Sequence, residues 1–314
     1  MAISAVKVTI DGQEYTLSYN STSGKYEATL TAPSKSSGSN NSGQGVDIGT
    51  SAQGLGYYPV SVSVSDDAGN VTSVDSTDAT FGNTLRLEVL ETDVPVAAIT
   101  YPTAGARIIT AQPTFTFTIT DTGSGVNPTT CYIKIDSETA VAVTPSVSAG
   151  VASCSYTPAT ALAEGSHTIE VYGSDYDGNE SVHATASFYV DLTAPILNVT
   201  APADNLKTNV AQYTVSGITN DVTSSPVTVV ITVGNTDYTP TVDTSTGEFS
   251  QVVSLSEGSN TITVVATDSA GLSTTVTRTV ILDTVAPTIV SIVITDNPTT
   301  TGTSYTIEVE VTDS

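Results

Sequence analysis

The chain has 314 residues, 39% of them hydrophobic, and carries 32 acidic against 8 basic side chains for a formal charge of −24. That balance excludes nucleic acid as a partner, because phosphate binding needs clustered Lys and Arg. No apolar run is long enough to insert into a membrane as a helix. Helix formers are scarce and Val, Thr, Ser and Ala dominate, which predicts an all-β protein. The acidic excess is spread along the chain. It acts either as solubility and mutual repulsion between crowded copies or as a supply of calcium ligands.

A first module is predicted over residues 1–93. AVKVTI and QEYTLSYN alternate around Asp11-Gly12, a strong hairpin signal, and SGK at 23–25 closes a second hairpin. KYEATLTA, YYPVSVSVS and LRLEVLE follow as strands. AISAVKVTI already alternates like a strand, so no secretory segment is expected after Met1. The protein then reaches the outside without a signal, as a virion protein released by lysis would, or its signal lay ahead of this sequence. Residues 33–57 are rich in Ser, Gly and Asn and predict a long loop. It is either a tolerated insertion or a contact loop anchored by Tyr57 and Tyr58.

A second module is expected over 94–191, with Phe115, Phe117 and Ile119 inward by period-two alternation. Cys131 and Cys154 both read as inward, either bridged or as free core thiols. A third module spans 192–283, with strands ILNVT, QYTVSG, VTVVITVG, FSQVVSL, TITVVATD and TTVTRTVIL. Residues 284–314 open a fourth, incomplete copy that is cut short, packs on the third module, or is completed by a partner chain. Short strands with turns every 8–12 residues fit two-sheet sandwiches. Short linkers ending in Pro95, Pro195 and Pro287 predict a semi-rigid, elongated rod.

One phrase recurs: DDAGN at 66–70, DYDGN at 175–179 and DSAGL at 268–272. It reads either as a tight turn, with Gly at positive φ and Asp bonding its own backbone, or as a calcium site through Asp175, Asp177 and Asn179. Asp93, Asp191 and Asp283 sit at the module junctions. They either start an extended segment or join a neighbouring loop to hold calcium. His167 and His183 have no Ser/His/Asp grouping, and nothing nominates a catalytic carboxylate pair, so no enzyme is expected. Lys7 and Lys134 are candidates for an internal amide crosslink.

HTIEVYGSDYDGNESVHATASFYVDLTAP and GEFSQVVSLSEGSNTITVVATDSAGLSTTVTRTVILDTVAP resemble bacterial immunoglobulin-like repeats of adhesins and surface proteins. The first module is also similar to immunoglobulin-like structural proteins of tailed phages and prophages of Gram-positive bacteria. The resemblance implies tandem immunoglobulin-like β-sandwiches and a non-enzymatic structural or adhesion role in a phage tail or fibre. A virion or extracellular location follows, with other virion proteins and bacterial surface glycans or proteins as partners and homo-oligomers admitted. A stalk of a bacterial cell-surface protein and a carbohydrate-binding accessory module are the rival roles.

Overall fold

The computed structural model describes residues 2–33, 46–47, 56–295, 300–302 and 304–313. Among these residues there is no helix, and therefore none long and apolar enough to cross a membrane. Most of the 33–57 stretch lies outside the described residues. The chain divides into two compact units, Met1–Val190 and Asp191–Ser314.

The first unit begins with a seven-stranded sheet built around Gly56–Asp66, which pairs with Ile3–Ile10, Val71–Val74 and Arg86–Leu87. Asp11 and Gly12 both take positive φ (51° and 70°), the geometry that a two-residue hairpin loop requires. Among the described residues this region forms one sheet rather than two facing ones. Its buried apolar side chains are Val6, Tyr57 and Tyr58. The alternating Val60, Val62 and Val64 are only partly covered.

A two-layered sandwich follows. One layer has four strands, ordered Ser146–Ser148, Val151–Tyr156, Phe115–Thr120, Val96–Tyr101. The other has five: Val141–Ala142, Tyr132–Ile135, Gly165–Tyr172, Ala184–Val190, Arg107–Ile108. FTFTIT buries every second residue, so Phe115, Phe117 and Ile119 meet Ile133, Ile169, Val171 and Phe188 from the opposite layer. Phe115 and Phe188 pack edge to face at 5.4 Å. Each such side chain contributes about 1.5–3 kcal/mol by leaving water. Cys131 and Cys154 face each other across this core as free thiols, and the Cys131 sulfur, with burial, pushes the Cys154 thiol well up.

The second unit repeats the plan. Ile196–Ala201, Gln212–Asn220 and Glu248–Ser254 form one layer. Leu206–Thr208, Ser273–Leu282, Gly258–Thr267, Thr228–Val233 and Thr236–Tyr238 form the other. Val215, Ile231, Phe249, Val253, Ile262 and Val264 fill its core. Both sandwiches carry a short parallel edge strand, Arg107–Ile108 beside Tyr189–Val190 and Leu206–Thr208 beside Val280–Leu282. The unit ends in a hairpin, Thr288–Thr295 with Thr306–Thr312, whose residues are all exposed.

The basic side chains lie on the strands. Lys7, Lys25, Arg86, Arg107, Lys134, Lys207 and Arg278 all fall within strand segments, and Lys35 lies outside the described residues. Lys7 pairs with Glu14 at 2.6 Å and Lys134 with Glu170 at 3.1 Å, so both ammonium groups face carboxylates rather than a crosslinking Asn. Arg107 lies over the Tyr189 ring at 4.9 Å.

Candidate functional site

The recurring turn is built as the bland reading expects. Gly69, Gly178 and Gly271 take φ of 85°, 90° and 95°. Asp66 Oδ1 accepts the amides of Ala68 and Asn70, and its Oδ2 accepts Asn70 Nδ2 at 2.9 Å. Asp175 repeats this with Asn179, whose backbone N–H donates to Oδ1 and whose Nδ2 donates to Oδ2, both at 2.8 Å. The third copy differs. Asp268 Oδ1 accepts Ala270 and Leu272 amides at 2.8 and 3.0 Å, but Leu272 has no side-chain donor for Oδ2.

Around the second and third turns the fold gathers carboxylates. Glu91, Asp121 and Asp175 bring one oxygen each within 4.8 Å of one another, and so do Asp191, Asp221 and Asp268. In both sets one residue lies just ahead of the sandwich's first strand, one (Asp121, Asp221) directly follows a core-forming strand (Phe115–Thr120, Gln212–Asn220), and one belongs to the Asp-Gly turn. The first two are 30 residues apart in each set. Asp121, Asp175, Asp191, Asp221 and Asp268 are all buried. Glu91 Oε1 accepts the Ser124 amide, and Asp121 Oδ2 accepts that of Gly125. Both sets offer oxygen donors alone, the chemistry of hard cations rather than of zinc or copper.

The structure thus brings Asp175 and Asp191 into clusters, with Asp177 beside the first, where its Oδ2 accepts the Glu91 amide at 2.9 Å. Asn179 is placed differently from a ligand. Its amide donates to Asp175 and to the Glu91 carbonyl, so it braces the turn. Asp93 is exposed and stands outside the cluster; Glu91 takes the junction position instead. Asp283 caps its own linker, accepting the Val285 amide at 3.1 Å, and joins no acidic group among the described residues. Tyr57 and Tyr58 are not surface anchors: they are 8% and 0% exposed, sit within the strand Gly56–Asp66, and Tyr57 carries the Arg86 guanidinium over its ring at 4.7 Å. Glu91, Asp121 and Asp221 went unread in the sequence, although their shared 30-residue spacing is a signal.

The histidines are structural in geometry. His167 stacks on Phe188, with Nδ1 2.8 Å from Asp136 Oδ2 and Nε2 2.8 Å from the Ala163 carbonyl. Both nitrogens face acceptors, so only the doubly protonated ring satisfies them together. Burial lowers the His167 pKa, but the bonds to Asp136 and Ala163 outweigh it and hold the ring above its ordinary value. His183 stacks on Tyr172 at 4.0 Å between Glu170 and Glu180, and the Glu170 bond raises it likewise. A raised folded-state pKa gives stability that is whole below about pH 6.5 and is lost as pH rises through the raised value. The sandwich of residues 94–191 is therefore expected to melt lower on going from pH 6 to pH 8, and less so in His167→Gln. An NMR titration placing His167 at or below 6.5 would contradict this.

The family model of glucodextranase domain B matches residues 195–284. The third module is similar to that domain. No curated protein matches the chain. Among solved structures, it is similar to the fibronectin(III)-like modules of Clostridium thermocellum CbhA (15% identity, 60% of this chain and 94% of that one, TM-score 0.38). It is also similar to Sidekick-1 immunoglobulin domains 1–5 (12%, 98% and 60%, 0.38). A third is the Bacteroides ovatus mixed-linkage glucan utilization protein SGBP-B (19%, 95% and 65%, 0.22). The sheets described above make the chain an all-β protein with two two-layered sandwiches in tandem.

Proposed function

We propose that this chain is a non-catalytic structural and adhesion protein of a phage particle, associated with its tail or fibre, that holds immunoglobulin-like modules toward a bacterial surface. The observation that supports this reading is the sandwich built twice on one plan, with the same edge strand and the same carboxylate drawn in from ahead of the first strand. Repetition of that kind supplies reach and many copies of a weak contact, and avidity multiplies modest affinity. The acidic surface keeps crowded copies apart. Other virion proteins, further copies of this chain and glycans or proteins of the host envelope are the partners this role requires.

The test is quantitative mass spectrometry of purified virions against host envelope fractions. Enrichment with virions supports the proposal. Recovery with host envelopes replaces it with a stalk of a bacterial surface protein. The match to glucodextranase domain B favours a second reading, an accessory module of a polysaccharide-acting protein. A glycan array decides that one. Binding that is lost in Tyr189→Ala or Tyr19→Ala, both exposed rings, supports it, and a blank array removes it.

A further inference from the structure

We propose that Asp191, Asp221 and Asp268 form a binding site for a divalent cation of the calcium class. The third-module set carries the argument. Asp191 and Asp268 are 0% and 6% exposed, and the Oδ2 of each is sealed from water with no hydrogen-bond donor. Their other oxygens are amply served. Asp191 Oδ1 accepts Thr223 Oγ1 at 3.0 Å, Asp268 Oδ1 accepts two amides, and Asp221 Oδ1 accepts the amides of Thr223 and Ser224 at 2.7 Å each. Among the described residues none of the three has a basic partner.

Buried carboxylate oxygens are ordinarily bonded, and buried charges are ordinarily paired or bound to metal. The comparison between turns sharpens the point. Asp66 and Asp175 each have an Asn four residues on to satisfy Oδ2; at the third turn Leu272 stands in that place, yet Oδ2 stays buried. A cation supplies what the missing amide does not. Calcium takes about six to eight oxygen ligands in a flexible shell, whereas magnesium holds on to several waters, for which a buried site is unsuited. A bound ion would tie the residue ahead of the first strand to two loops of the same sandwich. This inference does not depend on where the protein resides.

The experiment uses the full chain stripped with EGTA. Isothermal titration with calcium chloride is expected to give one ion per chain, and calorimetry a higher Tm in calcium than in EGTA. Asp268→Asn keeps the Oδ1 acceptor and removes the charge. It is expected to bind no ion, to lose the calcium-dependent shift of the third module, and to be no less stable than wild type in EGTA. Asp66→Asn, in the satisfied turn, should leave the ion bound. Should Asp268→Asn not fold, the wild-type titration still decides. No heat of binding together with equal Tm in calcium and EGTA overturns the proposal. An equal response to magnesium overturns the calcium assignment.

Discussion

Phe117→Ala is expected to cost about 3–5 kcal/mol, the usual range for removing a sealed phenyl ring from a core. Phe117 is 1% exposed and stands opposite Cys154 on one neighbouring strand and Ile99 on the other. No exposed edge lets the site collapse around the cavity. In a sandwich of this size each kcal/mol lowers Tm by about 4–8 °C, so the transition of this module should fall by tens of degrees. The core of the third module contains none of the residues that pack around Phe117. Its own transition should therefore stay in place. Differential scanning calorimetry reads both at once, and two transitions that move together would refute separate cores.

Gly247→Ala is the second large effect, with a different cause. Gly247 holds φ of +76°, and an added Cβ would lie 2.1 Å from the Thr219 carbonyl oxygen. The backbone cannot swing away cheaply, because the Gly247 amide donates to Asp243 at 2.8 Å and its carbonyl accepts from Thr219 at 2.9 Å. Strain and collision together should cost about 2–4 kcal/mol. Gly271 is the internal control. At φ of +95° with open space around its Cβ position, Gly271→Ala carries the conformational penalty alone, about 1 kcal/mol. Chemical denaturation of the two variants measures the difference, and equal losses would show that the Thr219 contact is not what matters.

Much of this fold is legible in one dimension because sheets have a period of two. FTFTIT names its own inward residues, and Asp11-Gly12 names its own turn. Reading fails where position along a strand competes with composition. Tyr57 and Tyr58 follow a Gly- and Ser-rich stretch and so look like loop anchors, but they open a strand of 11 residues, Gly56–Asp66, and are covered there. The acidic sets are harder still. Asp175 and Asp191 draw notice through the turn and the linker, whereas Asp121 and Asp221 are ordinary strand-end aspartates until the sandwich closes. Glu91 is passed over because Asp93 stands closer to the Pro that marks the linker. Contacts between residues about 30 and 50 positions apart belong to the topology, and a local pattern does not contain them. The thiols show the same limit: alternation points both Cys131 and Cys154 inward without deciding whether they bond, and the fold leaves them reduced.

The placement of the described Lys and Arg on strands has a practical consequence for proteolysis. Trypsin cuts after these residues, and it must thread an extended, unpaired stretch of chain through its cleft. Loop tips meet that demand and hydrogen-bonded ladders do not. With Lys7, Lys25, Arg86, Arg107, Lys134, Lys207 and Arg278 all held in ladders, the connections among the described residues offer such a protease no Lys or Arg bond.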